Sequence, residues 1–507
     1  MAPSVPRSIL LRRQANNRLP VFRLPDEILV RIFRSTDDHE GRREEYSDPY
    51  AWSKILQVCH RWYSIGLNNP LLWDTVTNSY SLDATREILS RSQSVPLHVR
   101  VGFPRGLFWA DDEDAADQDQ ALRRRYEVPE ELMKCMPRIK TLNVAIVDGI
   151  WEPTAAMGQP QMLQALTINE RGPFEDAERE DLFDITTRWP FTVALPKLRD
   201  LTIALERPLC GVICIPTLRV LELELGIASD IAAYKVQDLL ESMRQMPLLE
   251  QLSLHYALPD LQGTVYKDDL KRASPVHLPN LKALICDDRC ATVSTLLDHI
   301  VIPTTCSLSI TCEADIPEDI QAPISSLRRK LATSADRRRV IRSLEVSSRE
   351  PSGRAFFDRG LHVVGCPNAH TCLCDSIHEQ FSPRSGVCDD ACVHVTVAYC
   401  AEMLWTALDG LPELLRVLPL QDVQTLRISG HDAYNSLKAH FGLIPRGDVA
   451  THTIPPVLAD GPCHFTPSSS DVELGACLRR AMPRLTSVCL DLGVHDGVHE
   501  DFLADEL

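Results

Sequence analysis

The sequence predicts an α/β fold, in which a small N-terminal helical domain is followed by an irregular solenoid of helix–turn–strand repeats. Three observations lead to this prediction. Apolar residues fall at helical spacing between residues 24 and 73, a short apolar pattern typical of buried strands recurs between residues 139 and 490, and helical spacing returns between its copies. The 507 residues leave room for both parts.

The first helix is predicted to begin near Leu24. Pro25 suits the first turn of a helix, where its missing N–H is not needed, and Asp26 and Glu27 place negative charge at the positive end of the helix dipole. The apolar stripe of this helix is formed by Ile28, Leu29, Ile32 and Phe33. One helix cannot bury such a stripe alone, so it needs neighbours.

Two further groups of apolar residues supply these neighbours. The second helical face carries Trp52, Ile55, Leu56, Cys59 and Trp62, and the third set is Leu67, Leu71, Leu72 and Trp73. The sequence therefore predicts three short helices packed together. A bundle of about fifty residues lies near the lower limit of independent stability, so apolar side chains exposed on it would contact a partner chain or an adjoining domain.

Two motifs in this segment resemble those of an F-box domain of the fungal type. The opening motif is Leu24, Pro25, Asp26, Glu27, Ile28, Leu29, then Ile32 and Phe33; the closing one is Val58, Cys59, His60, Arg61, Trp62, then Asn69, Pro70, Leu71, Leu72 and Trp73. The resemblance implies a three-helix domain that binds the adaptor subunit of SCF-type cullin-RING ubiquitin ligases and, through it, the cullin. The alternative is a three-helix cap with no ligase role.

The resemblance also implies which side chains bind that adaptor subunit. They are Leu24, Pro25, Ile28, Leu29, Ile32 and Phe33 on the first helix, with Ile55, Val58, Cys59 and Trp62 on the later helices. Some of these residues must serve the core of the small domain itself. The sequence alone does not separate the two sets.

The predicted boundaries follow from these patterns and from charge. A disordered basic arm covers residues 1–19, the F-box-like domain covers 20–80, a connecting segment covers 81–135, and the solenoid covers 136–507. The connecting segment contains an acidic run, residues 111–119, which we interpret as a solvated loop because its charges repel one another. An acidic docking site for a basic substrate is the alternative.

The repeated pattern has two apolar residues three positions apart and a third two positions later. Its copies begin at Ile139, Leu163, Leu198, Leu218, Leu249, Leu281, Ile341, Val423 and Leu485, and Leu308 with Ile310 gives a partial copy. The last two positions alternate as in a strand buried on one face, and the first turns the chain into that strand. Proline lies two residues before many copies, at Pro137, Pro196, Pro216, Pro247, Pro279 and Pro483, where it ends a preceding helix.

These units resemble degenerate leucine-rich repeats, which would stack into a solenoid that binds a protein substrate. Between copies, Val236 to Met243 and Val293 to Ile300 carry helical spacing. With the partial copy counted from polar Thr305, the first seven steps between copies run from 20 to 36 residues. The last two steps are 82 and 62 residues and must hold divergent repeats or an inserted loop region near residues 350–400. The asparagine that follows the strand in regular leucine-rich repeats is missing from most copies, so an irregular α/β domain is the alternative.

The predicted insertion contains a group of cysteines and histidines. Zinc prefers four thiolate or imidazole ligands in paired knuckles. The candidate ligands are Cys372, Cys374, Cys388 and Cys392, but only the last two have a spacing that resembles a knuckle. We therefore expect no metal and no cofactor, with structural zinc as the alternative.

Composition restricts the partners further. The net charge of −17 disfavours nucleic acid as a partner. The sequence has no run of eighteen apolar residues, which a membrane-spanning helix would need. Seventeen dispersed cysteines without an export signal indicate free thiols, and hence the cytoplasm, the nucleus or both. No phosphate-loop, dinucleotide, zinc-protease or nucleophile-elbow motif is present, so we expect no intrinsic enzyme activity.

The sequence thus favours a substrate-recognition adaptor of a ubiquitin ligase, with a non-ligase interaction scaffold as the alternative. The identity of the protein substrate and the solenoid face that binds it are not encoded in any motif of the sequence.

Overall fold

The computed structural model describes residues 7–16, 18–35, 50–102, 127–146, 159–170, 187–188, 195–205, 209–210, 213, 215–225, 236–257, 274–314, 321–332, 343–349, 359–366, 393–399, 414–415, 418, 420–429 and 476–491. The chain divides into two compact units, Met1–Phe183 with Trp189–Leu201 and Asp184–Arg188 with Thr202–Leu507. Both units combine helices with mostly parallel strands, which confirms the predicted α/β class.

The first unit begins with short helices. These are α1 (Arg7–Asn16), α2 (Asp26–Ser35) and α3 (His60–Asn68), with 3-10 helices at Pro20–Arg23, Ala51–Gln57 and Pro70–Leu72. The sequence predicts disorder over residues 1–19, whereas the structure has helix α1 there. Its leucine, arginine, glutamine and alanine residues all favour a helix, and this propensity decides the local conformation.

Helix α2 starts at Asp26, next to the predicted start near Leu24. The second predicted helix, which carries the apolar face from Trp52 to Trp62, is divided into two elements. The 3-10 helix Ala51–Gln57 and helix α3 are separated at Cys59, whose backbone is extended with φ −161° and ψ 165°. The Cys59 Sγ accepts a hydrogen bond from the backbone N–H of Trp62 at 3.4 Å. The apolar run from Trp52 to Trp62 is therefore two elements rather than one, and the charged connection at residues 36–49 lies outside the described residues.

The first unit continues into a parallel sheet. Its elements are β1 (Thr75–Thr77), α4 (Leu82–Arg91), β2 (Leu97–Val101), β3 (Ile139–Ile146) and β4 (Ala165–Glu170), and the strands neighbour one another in that order. Residues 127–133 are helical. The sheet thus starts well before residue 136, the predicted boundary. The signal was present in Leu97, Val99 and Val101, which alternate along β2 and are buried. The acidic run lies outside the described residues.

The remaining elements lie in the second unit, apart from Asp200 and Leu201 at the start of β5, which belong to the first. The strands are β5 (Asp200–Leu205), β6 (Val220–Leu225), β7 (Gln251–His255), β8 (Ala283–Arg289), β9 (Ser307–Ala314), β10 (Ser343–Arg349), β11 (Arg359–Cys366), β12 (Val393–Tyr399), β13 (Thr425–Ser429) and β14 (Ser487–Asp491). Their order is β5-β6-β7-β8-β9-β12-β11-β10-β13-β14. The helices are α5 (Val236–Arg244), α6 (Cys290–His299) and α7 (Gln321–Ala332), with a 3-10 helix at Leu420–Asp422. The short strands Thr187–Arg188 and Leu209–Cys210 pair with each other, as do Val276–His277 and Ile300–Val301.

Each full copy of the repeated apolar pattern leads into a strand, and neighbouring copies are in register. The parallel pairing aligns Leu221, Leu252, Leu284 and Leu308 in one row and Leu223, Leu254, Cys286 and Ile310 in the next. Farther along the sheet, Leu344, Leu426 and Val488 form another row. Parallel pairing of this kind confirms the predicted strands and shows that equivalent positions of the pattern face one another.

The first position of the pattern makes the turn that the sequence predicts. Its backbone N–H donates to the carbonyl three residues earlier, as from Leu218 to Ile215 at 3.0 Å and from Leu249 to Met246 at 3.2 Å. The next residue then reaches the neighbouring copy: the N–H of Glu250 donates to the carbonyl of Arg219 at 2.7 Å. The turn therefore sets where each strand begins relative to its neighbour.

The longest gap between copies contains two strands that the pattern did not predict. Strand β11 pairs antiparallel with both β10 and β12. These strands flank residues 367–392, so Cys372, Cys374, Cys388 and Cys392 lie outside the described residues. The repeated pattern describes strands that pair in parallel, so it does not extend through a region where β11 pairs antiparallel with both neighbours.

The register makes a testable prediction about the core. Leu254 is fully buried between its row partners, whereas Leu248, six residues earlier, is 45% exposed. We expect Leu254→Ala to lower the free energy of unfolding by about 2–5 kcal/mol, because it leaves a cavity between packed strands. The matched Leu248→Ala change should cost less than about 0.5 kcal/mol. Urea denaturation of both variants measures the difference, and equal midpoints would contradict the packing.

Candidate partner-binding site

Helix α2 divides its apolar residues between two directions. Leu29, Val30 and Phe33 are buried in the small domain, whereas Ile28 and Ile32 are 39% and 42% exposed. Ile28 and Ile32 are one turn apart, so they lie on the same side of the helix. The helix thus contributes one stripe to the core and leaves a second apolar stripe at the surface.

Aromatic contacts fill the core against which the buried stripe packs. The rings of Phe33 and Trp62 have centroids 5.3 Å apart, and those of Trp52 and Trp73 are 5.4 Å apart in an edge-to-face arrangement. The Trp73 indole N–H donates to the carbonyl of Gly66 at 2.8 Å. Such pairs and hydrogen bonds hold large rings in one geometry. The helix that carries the exposed stripe therefore packs against a well-ordered core.

Gly66 allows helix α3 to approach the 3-10 helix Ala51–Gln57. A Cβ atom at Gly66 would lie 2.1 Å from Cδ2 of Leu56 and 3.3 Å from Cζ3 of Trp52. The first distance is far below van der Waals contact, so a side chain here would displace Leu56 and press on the indole. Absence of a side chain at this position is therefore a packing requirement.

Arg61 fixes the chain that enters helix α2. Its guanidinium donates to the carbonyls of Phe22 and Leu24 and pairs with the Asp26 carboxylate, 2.6 Å from Nη2 to Oδ1. The guanidinium also lies over the Phe22 ring, 5.8 Å from its centroid. Sequence reasoning quoted Arg61 only as part of a motif and missed this role, because the contact spans more than thirty residues of sequence.

The remaining predicted contact residues occupy different environments. Pro25 is exposed and Val58 is 59% exposed, whereas Leu24, Ile55 and Trp62 are half-buried. Cys59, also half-buried, is the N-cap of helix α3. The structure thus leaves Pro25, Ile28, Ile32 and Val58 available at the surface, and the other predicted residues are partly or wholly occupied within the domain.

Two of the predicted contact residues need correction. The sequence assigns Leu29 and Phe33 to partner binding, but they are 0% and 1% exposed. They are core residues, because the inward stripe of helix α2 has no surface left to offer. Two further large side chains are exposed on the domain although the sequence did not propose them as contact residues: Tyr63 and Leu71, at 50% and 45%. Leu71 was visible in the closing motif, whereas no sequence signal marked Tyr63.

The chemistry of this surface is mainly that of apolar contact. The predicted contact residues that remain exposed, Pro25, Ile28, Ile32 and Val58, have hydrocarbon side chains. The Trp62 Nε1 is buried and has no hydrogen-bond partner among the described residues, so it retains one donor. Burying apolar area of this kind contributes about 25 cal/mol per Å². The arrangement therefore suits the binding of another apolar surface.

Within the described ranges, no group of three or more histidine, cysteine or acidic residues is placed to hold a metal ion. No helix in the described part of the chain is long and apolar enough to cross a membrane.

Comparison with known families matches this part of the chain. Residues 21–79 match a family model described as F-box-like, so the chain contains an F-box-like domain at the position that the sequence motifs indicate. A comparison with curated proteins found no match to the chain.

The packing at Gly66 can be tested by mutation. We expect Gly66→Val to destabilise the F-box-like domain by about 1–3 kcal/mol, because the added side chain overpacks the contact with Leu56 and Trp52. The matched control is Gly102→Val, where a Cβ atom meets nothing within 4 Å. Thermal unfolding followed by tryptophan fluorescence measures both variants. A melting temperature for Gly66→Val equal to that of the control would show that Leu56 and Trp52 accommodate the added side chain without loss of stability.

Proposed function

We propose that this chain is a substrate-recognition adaptor of an SCF-type cullin-RING ubiquitin ligase. The F-box-like domain binds the adaptor subunit of the ligase and, through it, the cullin. The second unit, which we propose is an irregular leucine-rich-repeat-like solenoid, binds a protein substrate. The chain has no catalytic activity of its own, because ubiquitin transfer belongs to the other subunits, and it acts in the cytoplasm, the nucleus or both.

The observation that supports this proposal most directly is the exposed apolar stripe of helix α2. Ile28 and Ile32 are each about two-fifths exposed on a domain whose core is already filled by Leu29, Val30 and Phe33. Exposed apolar residues on so small a domain indicate an interaction surface. Domains of the F-box family bind a ligase adaptor subunit, and this surface is the part of the domain that is available for it.

The rest of the domain supports the same role by holding the stripe in place. Arg61 anchors the segment that precedes helix α2, and the pair between Arg34 and Asp74, 3.1 Å from Nη2 to Oδ2, ties the end of the helix to the residue before strand β1. A helix fixed at both ends loses little conformational freedom on binding. Preorganisation of this kind raises affinity without adding contacts.

The proposal predicts a loss of adaptor binding when the exposed stripe is truncated. We expect the double variant Ile28→Ala with Ile32→Ala to bind the purified adaptor subunit roughly tenfold to a hundredfold more weakly, because apolar area is lost from the interface. The matched control is Leu248→Ala with Val301→Ala, which removes two apolar side chains of similar exposure from the second unit. Surface plasmon resonance gives both affinities.

An affinity of the Ile28 and Ile32 double variant within twofold of the control would contradict the assignment of this stripe. The competing function, an interaction scaffold outside any ligase, predicts that the unmodified chain captures neither the adaptor subunit nor the cullin. Co-purification from cells distinguishes the two functions, because a ligase subunit carries both proteins with it and a scaffold does not.

A further inference from the structure

The sheet of the second unit has two faces of different chemistry. Side chains alternate along each strand, so the leucine rows occupy one face and the intervening residues the other. Helices lie on the leucine face: Leu297 of α6 and Leu327 of α7 line a small apolar pocket together with Ile310 and Cys312 of β9. The intervening residues of β6, β7 and β8 therefore face away from these helices.

A row of ionisable side chains crosses this second face. The register places Glu224 of β6 beside His255 of β7, and His255 beside Asp287 of β8. The Nδ1 of His255 lies 3.8 Å from Oδ2 of Asp287. Two residues earlier on the same strands, Ser253 of β7 lies beside Glu222 of β6. The Oε2 of Glu222 accepts a hydrogen bond from the hydroxyl of Thr202. Three neighbouring strands thus bring acidic and imidazole groups together.

Burial opposes a charge on His255, but the carboxylates of Asp287, Glu222 and Glu224 raise its pKa above the ordinary value. Glu224 is exposed, and the side chains of His255 and Asp287 are 22% and 16% exposed. Arg289, two positions beyond Asp287 on β8, adds a positive charge to the same face. Among the described side chains of this face on β6, β7 and β8, the carboxylates of Glu222, Glu224 and Asp287 outnumber the cationic groups of Arg289 and protonated His255, so the row attracts positive charge.

Several polar atoms on this face have unused hydrogen-bonding capacity. Among the described residues, Oγ of Ser253, Nε2 of His255 and Oδ1 of Asp287 are buried without a hydrogen-bond partner. Ser253 is 0% exposed. Buried polar groups are normally satisfied, and leaving one unmet costs free energy. A carboxylate oxygen needs a donor, whereas the second ring nitrogen of a protonated histidine needs an acceptor.

An extended basic peptide offers groups of both kinds. Its lysine or arginine side chain donates to a carboxylate, and its backbone carbonyl accepts from an imidazole N–H. We propose that the face of strands β6–β8 carrying Glu224, His255 and Asp287 docks a basic, extended segment of the protein substrate. Cationic side chains of the segment pair with Glu224 and Asp287, which lie on either side of His255 in the row. This inference names the substrate class for the proposed function and rests on it.

Binding of a defined probe tests the docking face. The probe is a short fluorescent peptide of alternating arginine and alanine, titrated with the purified full-length chain at physiological salt and followed by fluorescence anisotropy. We expect Asp287→Asn to weaken binding about tenfold and Glu224→Gln roughly threefold, since the first group is partly buried and the second is exposed. A peptide in which glutamate replaces arginine should not bind.

A matched control separates local from general electrostatics. Glu241→Gln removes the same charge from helix α5 of the same unit, where Glu241 pairs with Arg244. It should leave the affinity for the arginine peptide unchanged. A loss equal to that of Asp287→Asn would overturn the docking face, as would no binding by the unmodified chain or equal binding of the glutamate peptide. Glu224→Lys gives a second variant at an exposed position, and it should abolish binding while the melting temperature is kept.

The same samples distinguish this inference from the proposed function. Adaptor capture by Asp287→Asn and Glu224→Gln should match that of the unmodified chain, because these residues lie in the second unit. A chain that binds the arginine peptide but not the adaptor subunit would refute the ligase role and keep the docking face. Adaptor capture without peptide binding would refute the docking face and keep the ligase role.

Discussion

The register of the leucine rows is the constraint on which the second unit depends. A shift of one residue between neighbouring strands would carry the leucines to the polar face and the carboxylates into the core. The turn before each strand prevents this shift, because the N–H of Leu249 closes the turn and the N–H of Glu250 bonds to the previous copy at Arg219. The same register that buries the leucines therefore also assembles the row of Glu224, His255 and Asp287.

In the F-box-like domain the corresponding constraint is size. Helix α2 has more apolar residues than a small core can bury, and the aromatic rings leave room for only one of its stripes. Ile28 and Ile32 remain outside because Leu29, Val30 and Phe33 already fill the space. The exposed stripe thus follows from the packing of the domain and does not depend on weak packing elsewhere.

Local spacing predicted what local interactions determine. The repeated pattern predicted strands such as β7 and β8, because its turn and its alternation lie within a few residues. It failed for β11, because the pattern describes parallel copies and β11 pairs antiparallel with both neighbours, and for the break at Cys59, because periodicity does not reveal a thiol cap. At the site, Ile28 and Leu29 are adjacent in sequence and chemically similar. Only the position of the core decides which one is exposed, and that position depends on distant aromatic residues.

The two proposed binding surfaces rely on different physical forces, and this has a consequence for how the chain would work. Apolar contact at Ile28 and Ile32 is largely independent of salt, whereas attraction between Asp287 and a basic segment is screened by it. Electrostatic attraction chiefly accelerates encounter, and buried apolar contact chiefly slows dissociation. A chain built in this way would hold the ligase steadily and exchange substrates rapidly. That division suits a subunit which must release each modified substrate while it remains attached to the same enzyme.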